Sequence, residues 1–335
     1  MSGEASTAEG TAARGRDSAE PASPRAATHG SSASWAAEPE RSNAWALRIM
    51  CWIALRCGRR IARGVLYLIA LYFVLFAPKA RRASARYLGR VFGRPARWRE
   101  LYAHVFCFAA TILDRVYFLR EGGAGIRIDV HGHEHVQVCL DAGHGAFLTG
   151  AHIGSFEALR AAGRGDPQLN IAMVMYPDNA RLINNALAAI APHIKPDIIA
   201  LGRPDSMLAI RDRLAVNGLI GLLADRAMPG ESARANPVRL PFLGQEAVFS
   251  DGPFRLAALL RQRMVFMVGL YTGGAHYEVR FMPLADFTRR AATAQEREQR
   301  IHAAIADYVA LLESLCREMP YNWFNFHDFW REDGA

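Results

Sequence analysis

The sequence predicts an α/β fold: a mixed, mostly parallel sheet covered by helices, preceded by an N-terminal helical segment that associates with a membrane. Three observations carry this expectation. From about residue 100 onward, short apolar runs alternate with stretches of helical periodicity, the pattern of strands joined by crossover helices. Thirteen consecutive apolar residues, Val65 to Ala77, lie between Arg59, Arg60 and Arg63 on one side and Pro78, Lys79, Arg81 and Arg82 on the other. The chain has 335 residues, 51% hydrophobic and 21% charged, enough apolar surface to bury a full core.

Residues 1–40 are rich in Ala, Ser, Gly, Glu and Pro, with almost no large apolar side chain before Trp35. Such a stretch cannot offset its chain entropy by burial and is expected to be a disordered tail. It has no apolar run behind a basic start, so a cleaved export signal is not expected.

Of the net charge of +8, residues 1–40 contribute −3, residues 41–100 contribute +13 and the remainder −2. The basic excess therefore coincides with the apolar run. A spanning helix needs about 20 apolar residues, so Val65–Ala77 reads as a tilted, snorkelling or re-entrant anchor. A second apolar patch, Trp45 to Leu55, supports it, and the flanking cations suit an anionic leaflet. A buried core helix is the alternative. The interleaved side chains are aliphatic and no nucleic-acid motif accompanies them, so no nucleic-acid partner is expected.

Strands are expected at 125–130, 146–152, 169–176, 198–201, 218–223, 264–271 and 277–281, and helices at 157–162, 180–191, 205–215, 252–262 and 293–318. The five cysteines are odd in number, scattered and never spaced Cys-x-x-Cys, so neither a disulfide framework nor a zinc site is indicated.

The segment Gly145 to Ala162 carries chemistry. It reads as a buried strand ending near His152, a turn at Gly154-Ser155 with Ser155 as helix N-cap, and a helix holding Glu157 and Arg160. Residues five apart do not share a helix face, so His152 and Glu157 meet only if the turn folds back. A carboxylate on one imidazole nitrogen leaves the other free to take a proton from an acceptor hydroxyl, and a helix N-terminus favours an oxyanion. The carboxyl ends of strands are where open α/β sheets bind ligands.

His152-Ile153-Gly154-Ser155-Phe156-Glu157 resembles the His-x4-Asp/Glu signature of the lysophospholipid acyltransferase superfamily, in particular its branch of bacterial late lipid A acyltransferases. Further blocks follow in order: Leu223-Ala224-Asp225-Arg226, Leu240-Pro241-Phe242-Leu243-Gly244, Asp251-Gly252-Pro253 and Pro320-Tyr321-Asn322-Trp323. After Trp323 the chain departs from the lipid A enzymes, which place a His and two Arg there. Phe324 to Phe326 instead precede His327, Asp328 and Phe329. This ending and Ile112 to Tyr117 resemble a predicted acyltransferase subgroup of the same superfamily.

The resemblance implies a glycerolipid acyltransferase-like fold with a tail at 1–40, a basic, apolar anchoring region at 41–100 and an acyltransferase domain at 101–335. It implies transfer of an acyl group from a thioester, preferably on acyl carrier protein or else on coenzyme A, to a hydroxyl or amine of a lipid-like acceptor. His152 is then the base and Glu157 its orienting carboxylate, with no cofactor, at the cytoplasmic face of the inner membrane. Ser155, Arg160, Asp225 and Arg226 are candidate substrate contacts, Arg226 for a phosphate. Arg86, Arg90, Arg94 and Arg97 are candidate docking cations for an acidic carrier protein.

A competing class rests on His131, His133 and His135, whose His-x-His spacing superficially matches metal-dependent hydrolases; surface clustering on an edge strand or its turn is the plainer account. A non-catalytic lipid-binding protein on the same fold is a third possibility. No Gly-x-Ser-x-Gly elbow, phosphate loop or dinucleotide fingerprint is present.

Overall fold

The computed structural model describes residues 44–163, 171–175, 177, 197–201, 204–226 and 238–330. The expected tail and the helix at 180–191 lie outside the described residues. At the centre is a seven-stranded sheet in the order β1-β9-β8-β2-β5-β3-β4. Its strands are β1 (Arg127–His131), β2 (Ala146–Gly150), β3 (Ile171–Met175), β4 (Ile198–Ala200), β5 (Leu219–Leu223), β8 (Arg263–Gly273) and β9 (His276–Asp286). All neighbours pair in parallel except β8 with β9, which form an antiparallel hairpin. This is the mixed, mostly parallel sheet the sequence predicts. β2 is buried along its whole length, as expected of an apolar run covered on both faces.

β6 (Val238–Phe242) and β7 (Gln245–Phe249) make a separate two-stranded hairpin. Its tip, Leu243-Gly244, takes positive φ at both residues, 50° and 81°, the geometry that matches strand twist in a two-residue turn. The block around Pro241 is thus a strand and its turn. The Leu243 N–H donates to Glu313 Oε2 at 2.7 Å, tying the hairpin to the long C-terminal helix.

Helices cover the sheet: α4 (His133–Asp141), α5 (Phe156–Ala162), α6 (Pro204–Ala215), α7 (Gly252–Leu260) and α8 (Ala294–Glu318), the last capped by Thr293, whose hydroxyl accepts from Glu296 N–H. Three more precede the sheet: α1 (Ala44–Phe76), α2 (Pro78–Phe92) and α3 (Trp98–Glu121). The expected boundary at residue 100 falls inside α3. Tyr87, Leu88 and Val91 of α2 and Leu101 of α3 share one core with the sheet residues Phe147, Ile220 and Phe266.

α1 is kinked at Gly58 (φ 80°). Between Arg56–Phe76 and α2 the chain bends by 94°, at Ala77, where the following Pro78 disfavours helical backbone. α1 has two apolar faces. Ala62, Leu66, Ala70 and Val74 are buried, four residues apart, whereas Leu68, Tyr72 and Phe76, also four apart, are 70%, 58% and 64% exposed. α3 has the length and apolarity of a membrane span, but more than half of that stretch is buried in the protein, as in a core helix.

The basic excess is largely engaged within the fold. Arg59 donates Nε and Nη2 to the two oxygens of Asp114, each at 2.7 Å, and the Tyr277 hydroxyl donates to the same fully buried carboxylate at 2.9 Å. Arg59 and Arg63 also donate to the Gly274 carbonyl at the β8–β9 turn. Of the four arginines expected to receive a carrier protein, Arg86 pairs with Asp328, Arg90 bonds Gln245 and lies 4.4 Å over the Trp330 ring, and Arg94 pairs with Glu100. The first two hold α2 to the rest of the fold, and the third ties the α2–α3 connection to α3. Arg97 is exposed.

His131 ends β1, the edge strand, and is exposed, as is His133 at the start of α4. Among the described residues no three His, Cys, Asp or Glu side chains converge as a metal site.

The Asp114 cluster generates a stability prediction. Truncating Asp114 leaves the partly buried Arg59 guanidinium without its carboxylate, at a cost of about 2–3 kcal/mol. Asp114→Ala should lower the urea midpoint of the detergent-solubilised protein accordingly, while Arg127→Ala, which removes a 74%-exposed guanidinium, should leave it nearly unchanged.

Candidate active site

Register assembles the site. β2 and β5 pair in parallel with Gly150 opposite Leu223, and each strand is followed two residues later by a polar side chain: His152 after β2, Asp225 after β5. The two therefore stand side by side at the carboxyl ends of adjacent strands. His152 Nδ1 is 2.8 Å from Asp225 Oδ1, and the His152 backbone N–H donates to Oδ2 at 3.0 Å. A third donor, the Trp323 indole N–H, reaches Oδ2 at 3.1 Å.

Asp225 is 1% exposed. Burial pushes its pKa up, but the positive charge and hydrogen bonds of His152, with the charge of Arg226, outweigh it and hold the carboxyl well below the usual carboxylate range. An ionised Asp225 can only accept, so Nδ1 carries a proton, and in the neutral imidazole Nε2 is the nitrogen with the lone pair. His152 is 35% exposed, which leaves that nitrogen open to a ligand.

Glu157 is placed elsewhere. It sits in the first turn of α5 with Oε1 2.6 Å from Arg115 Nε of α3, an ion pair without a directed N–H···O bond at that nitrogen. The imidazole nitrogen expected to bond Glu157 is taken by Asp225. The turn between them presents His152 to the neighbouring strand end.

Ser155 caps α5, its hydroxyl accepting from Ala158 N–H at 3.3 Å. At 3% exposed, its side chain is engaged in the helix cap. Arg160 lies in the last turn of α5, half-buried. Arg226 follows Asp225 directly; burial lowers its pKa, opposed by the Asp225 charge.

The turn after His152 requires glycine. Gly154 has φ 68°, and a Cβ there would run into the Gly269 carbonyl of β8, which accepts the Ser155 N–H at 2.7 Å. Opposite this turn lies the C-terminal segment 320–330. Gly154 N–H donates to the Asn322 carbonyl and Phe324 N–H to the His152 carbonyl, both at 2.8 Å, so the segment pairs with residues 152–154 as a short antiparallel strap. The Asn322 side chain brackets Tyr271 of β8, accepting from its N–H and donating to its carbonyl.

Sequence reasoning missed three contributors. Trp323 stands in the block Pro320-Tyr321-Asn322-Trp323, but its role needs the strap. His104 of α3, fully buried, has Nε2 2.8 Å from the Trp323 carbonyl and Nδ1 2.8 Å from Ser84 Oγ. A carbonyl only accepts, so Nε2 bears the proton and Ser84 donates to Nδ1. His327 lies in the electrostatic field of Arg226, Asp225 and His152; burial first, then the Arg226 charge, lower its pKa to about 4. Apolar neighbours hide His104 in the sequence, and His327 is visible there only as part of the aromatic ending.

Residues 34–332 match the family described as bacterial lipid A biosynthesis acyltransferase, and the chain belongs to it. No curated protein matches the chain closely enough to add a named relative.

Burial lowers the His104 pKa to about 4, with the hydrogen bond to Trp323 opposing. The unfolded chain takes up this proton near pH 6.5 and the folded one only near 4, so the contribution of neutral His104 is complete above pH 6.5 and is lost as pH falls towards 4. The loss is on the order of 3 kcal/mol. Urea midpoints at pH 7.5 and 4.5 should therefore converge in His104→Gln, which keeps an N–H for the Trp323 carbonyl, relative to the parent protein.

Proposed function

We propose that this member of the lipid A biosynthesis acyltransferase family moves a fatty acyl group from a thioester donor to a hydroxyl or amine of a lipid-like acceptor, with His152 as general base and Asp225 as the carboxylate that orients it. One observation carries the assignment: a half-buried imidazole whose Nδ1 is 2.8 Å from an almost wholly buried carboxylate, at the carboxyl ends of two central strands.

The step balances on these groups. The acceptor O–H or N–H gives its proton to His152 Nε2 as the heteroatom attacks the thioester carbonyl. The tetrahedral adduct collapses, breaking the C–S bond, and the imidazolium proton passes to the leaving thiolate. The products are acylated acceptor and free thiol, with the enzyme unchanged. Asp225 stays ionised and stabilises the transient imidazolium. Glu157, expected to orient the base, contributes instead by joining α5 to α3 through Arg115.

The donor we propose is acyl carrier protein in preference to coenzyme A, received by cations left exposed in the basic region, such as Arg97 and Arg99. Arg226 is proposed to face a phosphate of donor or acceptor. The bilayer is proposed to be met by the outer face of α1, at the cytoplasmic side of the inner membrane. Leu68, Tyr72 and Phe76 project from a helix whose other face is already packed, and burying each is worth about 1–2 kcal/mol.

Thiol release from palmitoyl carrier protein, with lipid extract as acceptor, tests the dyad. His152→Ala should lose at least about 10²-fold, Asp225→Asn nearly as much, and Glu157→Gln much less in rate while lowering thermal stability. Near-normal turnover in Asp225→Asn, with Glu157→Gln as poor as His152→Ala, would return the orienting role to Glu157.

The membrane reading predicts that Leu68→Glu with Phe76→Glu, both on the exposed face, leaves the thermal midpoint within about 1 °C, since surface changes away from structural features are usually within ±0.5 kcal/mol. The same variant should no longer sediment with anionic vesicles and should slow on bilayer-embedded acceptor only. Retained sedimentation would place the membrane contact elsewhere.

A further inference from the structure

The Asp225 carboxylate receives three described hydrogen bonds, and two of them come from His152 itself. A carboxylate held only by the group it is meant to orient fixes neither, because the two can turn together. The third bond, from Trp323 Nε1 to Oδ2, comes from a separate part of the chain. That indole is immobilised on all sides: it is 1% exposed and meets Tyr87, Phe242 and Phe329 edge-on, with centroids 4.9, 5.3 and 5.0 Å away. Its main chain is also pinned. The Trp323 carbonyl accepts from His104, and the next N–H, of Phe324, donates to the His152 carbonyl.

We infer that Trp323 is a positioning residue for acyl transfer: its indole N–H fixes the plane of the Asp225 carboxylate, and with it the tautomer and aim of His152. Through His104 and Ser84, the bond network also ties that plane to α2 and α3. The inference rests on the dyad reading above and adds to it a donor from a segment 98 residues downstream of Asp225.

The physical consequence has a sign. An N–H donor draws negative charge from the carboxylate oxygens. Removing it makes Asp225 a stronger partner for the imidazolium, so the His152 titration should move to higher pH while the loosened geometry slows the reaction. The charged or titratable groups around the pair are Arg226, next to Asp225, His327 and Asp328 on the strap, and the buried Tyr308 and Cys316 of α8; none of them is changed by substitution at 323.

The experiment uses the full chain in detergent micelles, with His152 assigned by comparison with His152→Gln and followed by NMR of isotopically labelled histidine. Thiol release from palmitoyl coenzyme A, with water as acceptor, is read in parallel. Trp323→Phe should raise the His152 midpoint by about half a pH unit and slow thiol release about tenfold, the worth of one hydrogen bond, with KM little changed. Because Phe leaves space in a packed core, benzothienylalanine at 323, which replaces N–H by sulfur at nearly constant shape, is the second variant and should behave alike.

In an Asp225→Asn background neither change at 323 should have a further effect beyond about twofold. If both 323 variants leave the His152 midpoint in place while Asp225→Asn moves it, the positioning role is overturned and the dyad stands. If Asp225→Asn itself leaves the midpoint and thiol release unaltered, the dyad fails and the inference with it.

Discussion

A single buried carboxylate sets the terms for the rest of the molecule. Asp225 is ionised and almost fully enclosed, and an enclosed charge persists only where donors replace the water it has lost. Those donors come from two regions remote in sequence, the turn after β2 and the C-terminal strap. Meeting the demand requires the Gly150–Leu223 register, a glycine at 154 so that the chain can pass under β8, and a strap seated against residues 152–154. Assembly of the site and closure of the fold are thus one constraint, and a change that unseats the strap exposes a buried charge as well as disturbing the His152–Asp225 pair.

The N-terminal helices are joined to this centre by the same kind of bond. Asp114 of α3 is a second enclosed carboxylate, satisfied by Arg59 from α1 and Tyr277 from β9. Arginines that look from composition like a cationic surface are in large part internal fasteners: Arg59 and Arg63 on the β8–β9 turn, Arg86 and Arg90 on the strap and the β6–β7 hairpin, Arg94 on Glu100. A charge count over sixty residues cannot distinguish a guanidinium meant for an external anion from one matched to a carboxylate two hundred residues away. After the exposed Arg56 and Arg60, the outward face of α1 is apolar, the Leu68, Tyr72 and Phe76 stripe, so the case for a lipid-facing surface rests on exposed hydrocarbon more than on charge.

The fold was legible where one period dominated. β2, β5 and β8 are apolar runs between turn signals, and α8 carries its Thr293 cap in plain view. The β6–β7 hairpin was not, because Pro241 argues against a strand unless the sheet is a small separate one where a ladder bond can be spared. Within the site, His152 was visible from its position at a strand end, and Asp225 from a strand-end block, but not their pairing. Proximity in sequence favoured Glu157, five residues on, over Asp225, seventy-three residues on. Only strand order brings Asp225 closer, and order is a property of crossovers that a single sequence leaves open. Trp323 and His104 act through one N–H each inside apolar packing, where composition sees only core.

The displacement of Glu157 from the imidazole has its own logic. A carboxylate in the first turn of a helix is favoured there by the exposed N–H groups, and Arg115 supplies the counter-charge, so Glu157 has local reasons to stay where it is. Its pair joins α5 to α3, while Ser155 caps α5 and bonds back to β8 through its own N–H. Between them these two residues fix where the turn 152–155 leaves the sheet, and so where the His152 ring lies when it meets Asp225. Two acidic residues thus divide one task by distance: Glu157 sets the backbone that carries His152, and Asp225 sets the ring.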